Sequence, residues 1–169
     1  MPKYVIAQKI NFQPTEESLK QYETPELFRD AKFGIWSRWG PQSAPECGDS
    51  QARFMYLQGV LDWGESFDVH ESHTKRYFHP SESGYIDLIP LFTAEKRDPE
   101  KFMKLHKKAG ARYFVSMEQH HNNFDMWNAK LQSWNSVKMG PERDIVKQWQ
   151  DAAPLICIAS RTFQGYRQM

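Results

Sequence analysis

Two adjacent histidines, His120 and His121, close the apolar run RYFVSM in the segment RYFVSMEQHHNNFDMWN. Imidazoles at the rim of a core offer neutral donors and acceptors that suit hydroxyl groups. The pair also fits an incidental place in a surface loop. Zinc is disfavoured, because the chain has no HExxH, no CxxC and no third ligand at metal spacing. A Ser–His–Asp hydrolase needs its nucleophile on a sharp elbow, and there is no GxSxG. Glu118 and Asp125 lie near the same histidines, but their spacing shows no matched acid/base pair. A second unusual group, Arg38 and Trp39, follows the run KFGIWS.

These residues need elements to hold them. Thr15 caps a turn through Leu19, and Thr24 with Pro25 starts a second helix, proline costing nothing in a first turn. Phe33 to Ser37 reads as a strand. A long irregular excursion follows from Pro41 to about Lys96, with short helices near Gln51–Gln58 and Asp68–Tyr77. Asp98-Pro99-Glu100 is a helix start, and Gly110 closes that helix. Phe102, Leu105, His106 and Ala109 share its expected inner face. Arg112 to Met117 is a second strand. Gly140-Pro141-Glu142 opens another helix, with Ile145, Val146, Trp149 and Ala153 inward, and Leu155 to Ala159 reads as a third strand. Strands and helices alternating at this spacing imply a parallel sheet, either doubly wound or the start of a (β/α) barrel. Both architectures put chemistry at the C-terminal strand ends, where Arg38, Trp39 and the segment Glu118–Asn123 fall.

Composition narrows the classes. The 169 residues suffice for one domain, read here as 1–169, with 40% hydrophobic and 25% charged residues. Net charge is +1 with scattered Lys and Arg, which argues against nucleic acid or an anionic membrane as partner. The 14% aromatic content, including six Trp, suits stacking on sugar C–H faces or a Trp-rich core. Cys47 and Cys157 read as buried thiols, with one long-range disulfide as the alternative. The start MPKYVIAQKINF lacks an apolar signal core, and no run approaches about 18 apolar residues. A cytoplasmic protein that binds no membrane is the expectation.

Taken together, the segments PELFRDAKFGIWSRWGPQSAPECGD, ARFMYLQG, FHPSESGYIDLIPLFTAEKRDPEKF and KKAGARYFVSMEQHHNNFDMWN…WNSVKMGPERDIVKQW resemble the α-L-fucosidase family of glycoside hydrolases. The resemblance runs in order from about Thr15 to Gln150. It implies an α/β fold, the first two to three β/α units of a (β/α)8 TIM-like barrel, with a long irregular insertion after the first strand. The implied activity is retaining hydrolysis of terminal α-L-fucosyl linkages, with no metal or organic cofactor. The implied partner is a fucosylated glycan or small fucoside.

The implied sugar contacts carry over one at a time. The family's His-Trp-Gly after the first strand stands here as Arg38, Trp39 and Gly40. Its acidic residue followed by Trp stands as Asp49 and Ser50. The adjacent histidines match as His120 and His121, and the Asp that commonly follows is Asn122. Arginine for histidine brings permanent charge into a pocket for a neutral sugar. Serine for tryptophan removes a stacking wall worth about 1 kcal/mol. Both changes predict weak fucose binding, unless local loop changes compensate.

The family's nucleophile and acid/base follow later strands, so they are expected beyond Met169. A typical barrel needs about 250 residues, and three strands leave open sheet edges that invite self-association or a complementary chain. A non-catalytic remnant or carbohydrate-binding fragment therefore stands beside the enzyme, with an assembly subunit as a third reading.

Overall fold

Among the described residues three short strands carry the fold, and they all run the same way. The computed structural model describes residues 12–24, 26–61, 67–153 and 159–164, the last segment through its backbone alone. β1 (Gly34–Ser37), β2 (Tyr113–Gln119) and β3 (Ala159–Gln164) lie side by side in chain order, and both pairings are parallel. Gly34 pairs with Tyr113 and Ile35 with Phe114, while Tyr113 pairs on its other side with Ala159. Parallel neighbours need a crossover, and a helix lies in each one.

The approach to β1 is built from short pieces. α1 (Glu16–Leu19) is capped by Thr15, whose hydroxyl accepts from Ser18 N at 3.3 Å. α2 (Glu26–Ala31) follows; Pro25 lies outside the described residues. β1 opens at a glycine for a steric reason. A Cβ on Gly34 would meet the Tyr113 ring at 2.2 Å, and Phe28 of α2 packs on that ring at 5.3 Å between centroids.

Among the described residues the excursion holds three helices and two 3-10 turns. α3 (Gln51–Phe54) is shorter than expected, because the chain tightens into i→i+3 bonds such as Tyr56 N to Arg53 O at 3.2 Å. α4 (Val69–Tyr77) begins where Asp68 accepts from Glu71 N at 3.2 Å. α5 (Tyr85–Leu88) and the turns Pro41–Ser43 and Ile89–Leu91 have no periodicity that reveals them in the sequence. This region is core rather than ornament: Phe54, Met55, Val69, Leu88, Ile89 and Phe92 are all buried in one cluster.

The crossover helices depart from expectation in instructive ways. α6 (Pro99–Lys108) starts as read, with Asp98 accepting from Lys101 N at 2.9 Å, and Gly110 follows it at φ +93°. Its buried face, however, centres on Met103, which is fully buried, and on half-buried His106. Phe102, Leu105 and Ala109 are exposed, because the helix sets its Met103–His106 side on the sheet. α7 (Ile145–Ala152) starts later than the Gly140-Pro141-Glu142 signal. Gly140 and Glu142 sit at φ +66° and +50°, outside helical space, and Asp144 caps instead, accepting from Lys147 N at 2.7 Å. Of the expected third strand, Leu155–Ala159, only Ala159 lies among the described residues, where it opens β3.

Phe114 is the keystone of the helix-covered sheet face. It is fully buried, stacked with His106 at 5.4 Å and tilted on Trp149 at 4.9 Å. Arg97 lies over the Trp149 ring at 4.2 Å and donates to Ile145 O at 3.0 Å and to Gln148 Oε1. Burial, with the nearby charge of Arg143, pushes its pKa down to about 10. Cys47 is buried as a free thiol, and Cys157 lies outside the described residues. No described helix is long and apolar enough to cross a membrane.

Candidate functional site

Arg38 directly follows β1, and His120 directly follows β2. The paired registers stop at Ser37 and Ser116, so β2 runs three residues further before His120. At about 3.3 Å per residue that offset is roughly 10 Å. The long side chain of Arg38 spans it. Its Nη2 lies 3.2 Å from His120 Nε2, and the same nitrogen donates to Asp49 Oδ2 in an ion pair. Three sequence-predicted residues, 82 positions apart at the extremes, thus meet at one edge of the sheet.

The chemistry of this cluster follows from donor and acceptor counting. A guanidinium only donates, so His120 Nε2 accepts from Arg38 and its ring proton sits on Nδ1. Asp49 Oδ1 is 3.5 Å from the same Nε2. With that nitrogen acting as acceptor, the approach is close packing and not a hydrogen bond. Arg38 engages only Nη2; its Nε and Nη1 hydrogens have no partner among the described residues. The Arg38 and Asp49 side chains are 52% and 45% exposed, whereas His120 is 8% exposed.

The β2 end is held differently. His121 stands edge-on to His120, ring centroids 4.4 Å apart, and is exposed. Asn122 turns inward, its Nδ2 donating to Tyr85 Oη at 2.9 Å and to Gln42 Oε1 at 3.5 Å. Its Oδ1 accepts from Phe124 N at 3.0 Å, and its carbonyl accepts from Trp134 Nε1 at 3.1 Å. Burial pushes the Tyr85 phenol up to about 12, against the opposing effect of the Asn122 bond. Tyr85 and Gln42 were not among the sequence-predicted residues. Both fall inside the segments that carry the family resemblance, but neither has a spacing that announces it.

The two remaining candidates sit apart from the polar cluster. Trp39 packs its ring on Phe92 at 4.9 Å and lines a cavity of ≈ 600 Å³ with Phe102, His106, Arg97 and Trp149. That cavity includes none of Arg38, Asp49 or His120, so it is not the site built by the strand ends. Ser50 is half-buried at the N-cap position of α3, without a side-chain capping bond. Asp125 is buried and accepts from Gln119 Nε2 at 2.7 Å, which makes it a brace for the strand end. Among the described residues no three His, Cys, Asp or Glu side chains gather as a metal site.

The family model described as alpha-L-fucosidase matches residues 2–154. A fucosidase of Branchiostoma floridae is 36% identical over 138 residues, which is 80% of this chain and 29% of that protein. The human plasma alpha-L-fucosidase is 35% identical over 142 residues, 83% of this chain and 29% of its own length. The crystal structure of Thermotoga maritima alpha-fucosidase in complex with fucose superposes with a TM-score of 0.74 at 32% identity. The match covers 91% of this chain and 37% of that one. The chain thus spans under a third of the length of these curated relatives.

Proposed function

The chain belongs to the α-L-fucosidase family, and from that premise we propose that it forms the sugar-recognition corner of a retaining α-L-fucosidase. The observation that carries this reading is the meeting of Arg38, Asp49 and His120 at adjacent parallel strand ends. In this reading the sheet is the opening of a (β/α)8 barrel, residues 1–169 are one part of its catalytic domain, and the substrate is a fucosylated glycan or small fucoside. His120 and His121 bind sugar hydroxyls, Asp49 assists, and Asn122 orients the histidine loop. Trp39 and Ser50 stand apart from that cluster and are given no sugar contact.

The chemistry of retention needs two carboxyl groups about 5–5.5 Å apart. Of the carboxylates near these strand ends, Asp49 is engaged by Arg38 and Asp125 by Gln119. The nucleophile and the acid/base are therefore assigned to residues outside this cluster. The same engagement favours a second reading, a fragment that binds sugar without cleaving it. Among the described residues β1 has a strand on one side only, so its open edge is proposed to seat further chain or a second copy.

One experiment separates these readings. The purified chain is incubated with 4-nitrophenyl α-L-fucoside, and fucose binding is followed in parallel by saturation-transfer NMR. Binding that disappears in His120→Ala supports the recognition corner, and nitrophenolate release in addition means that the carboxylates are assembled. Fucose binding unaffected by His120→Ala, or no binding at all, overturns the assignment.

A further inference from the structure

The polar groups at the strand ends already engage one another. Arg38 pairs with Asp49 and takes the Nε2 lone pair of His120, so two groups proposed to meet sugar hydroxyls are occupied by the same guanidinium. What the cluster still offers outward is mostly donors. Arg38 has five N–H groups, and those on Nε and Nη1 have no partner among the described residues. The side chain is half-exposed, so these donors are reachable. His121 lies exposed beside His120 and adds an imidazole. A neutral sugar carries hydroxyls that need acceptors as well as donors. A sulfate or carboxylate on the sugar accepts only, and a guanidinium is the protein group that matches it best.

We propose that Arg38 is a specificity-determining residue that directs this site to an α-L-fucoside carrying an anionic substituent, a sulfate ester in the first instance. The inference rests on the fucoside-binding reading above and names the substrate class within it. Asp49 keeps the resting site neutral. The incoming anion meets the Nε and Nη1 hydrogens of Arg38 without displacing Asp49 from Nη2.

The test measures binding by the intact chain to three probes at equal ionic strength: methyl α-L-fucoside, its monosulfate ester, and inorganic sulfate. The expected result is binding of the sulfated fucoside about tenfold tighter than the neutral one, the scale of one charge-assisted hydrogen bond in place of a neutral one. Arg38→Met removes that preference, so that the sulfated and neutral fucosides bind within about twofold of each other, and Arg38→Lys retains part of it. Thermal melting of each variant confirms that the half-exposed position tolerates the change. Equal or tighter binding of the neutral fucoside overturns the inference and leaves the fucoside-binding reading intact. So does a preference that survives Arg38→Met. Free sulfate binding as tightly as the sulfated sugar also overturns it, since the sugar would then contribute nothing. Failure of both fucosides overturns the two readings together.

Discussion

The two strand ends that meet at the candidate site are built by opposite means. At the β2 end, His120 is 8% exposed, and Asn122 is fixed by bonds to Tyr85, Gln42, Phe124 and Trp134. Behind it Asn135 is fully buried, donating to Gln132 O at 2.6 Å and accepting from Val137 N and Lys138 N at 3.0 and 3.1 Å. At the β1 end, Arg38 and Asp49 are about half exposed and hold each other through one ion pair. Backbone-directed bonds anchored on buried side chains leave one arrangement, whereas a surface ion pair can be exchanged at little cost. The β2 end therefore acts as the fixed jaw of the site and the β1 end as the adjustable one. That division explains how an arginine can stand after β1 without disturbing the fold around it.

The sharpest way to break this comparison is to cut the fixed jaw. Asn135→Ala leaves Val137 N and Gln132 O without their side-chain partner, while Lys138 N keeps the Asn135 carbonyl at 3.2 Å, and about 3 kcal/mol of stability should be lost in urea unfolding. A loss below about 1 kcal/mol would mean that the loop is held from elsewhere. Asn122→Ala should cost about 2 kcal/mol, and Tyr85→Phe about 1 kcal/mol. Because the two share a bond, their double mutant should lose about 0.5–1 kcal/mol less than the sum. Strict additivity would dissolve the network into independent contacts.

Much of the frame was legible before the structure, and the reasons are local. Asp98-Pro99 and Asp68 announce helix starts because capping is a short-range bond from side chain to backbone. The parallel order follows from strand–helix alternation, and His120 marks a strand end by its place after RYFVSM. What stayed hidden is what depends on distant partners. Helix α6 carries Phe102 and Leu105 on an apolar stripe, yet it buries Met103, because the sheet and Trp149 decide which side faces inward. Helix α7 starts at Asp144 because Gly140 fills a close approach, where a Cβ would sit 3.1 Å from the carbonyls of Ile89 and Phe92. Tyr85 enters the site through a bond to a residue 37 positions away, which no local pattern encodes. The Arg38–Asp49–His120 contact is of the same kind. The residues were nameable singly, but their mutual capture was not.

Acid should loosen the adjustable jaw through its support. Helix α4 braces the stretch leading to Asp49: Arg76 donates to Pro45 O at 2.9 Å, and His70 Nδ1 is 2.8 Å from Met55 O. His73 in the same helix is buried, its Nε2 2.8 Å from Ser83 O. Burial holds its pKa below the ordinary value of 6.5, partly offset by the Ser83 bond. A depressed histidine pKa means that the unfolded chain binds the proton more readily. The stabilisation is complete above pH 6.5 and is lost as pH falls from there through the folded-state pKa. Hydrogen-exchange protection factors, which remove the slower intrinsic exchange at low pH, should fall between pH 7.5 and pH 5.5 in residues 45–60 before residues 122–137. An equal fall in both segments would show that acid does not distinguish the two jaws.

The smallest effect is the most telling. Arg38→Ala should change stability by no more than about 0.5 kcal/mol, because both partners of its ion pair are more than a third exposed and screened by water. The measurement is the urea midpoint of wild type and variant at low salt and at about 1 M salt, where the Debye length falls to about 3 Å. High salt should shrink even that small difference. A loss above about 1.5 kcal/mol, persisting in salt, would mean that the guanidinium is structural and that His120 depends on it for its orientation. The β1 end would then be as rigid as the β2 end, and an exchange at position 38 could not retune the site without unmaking it.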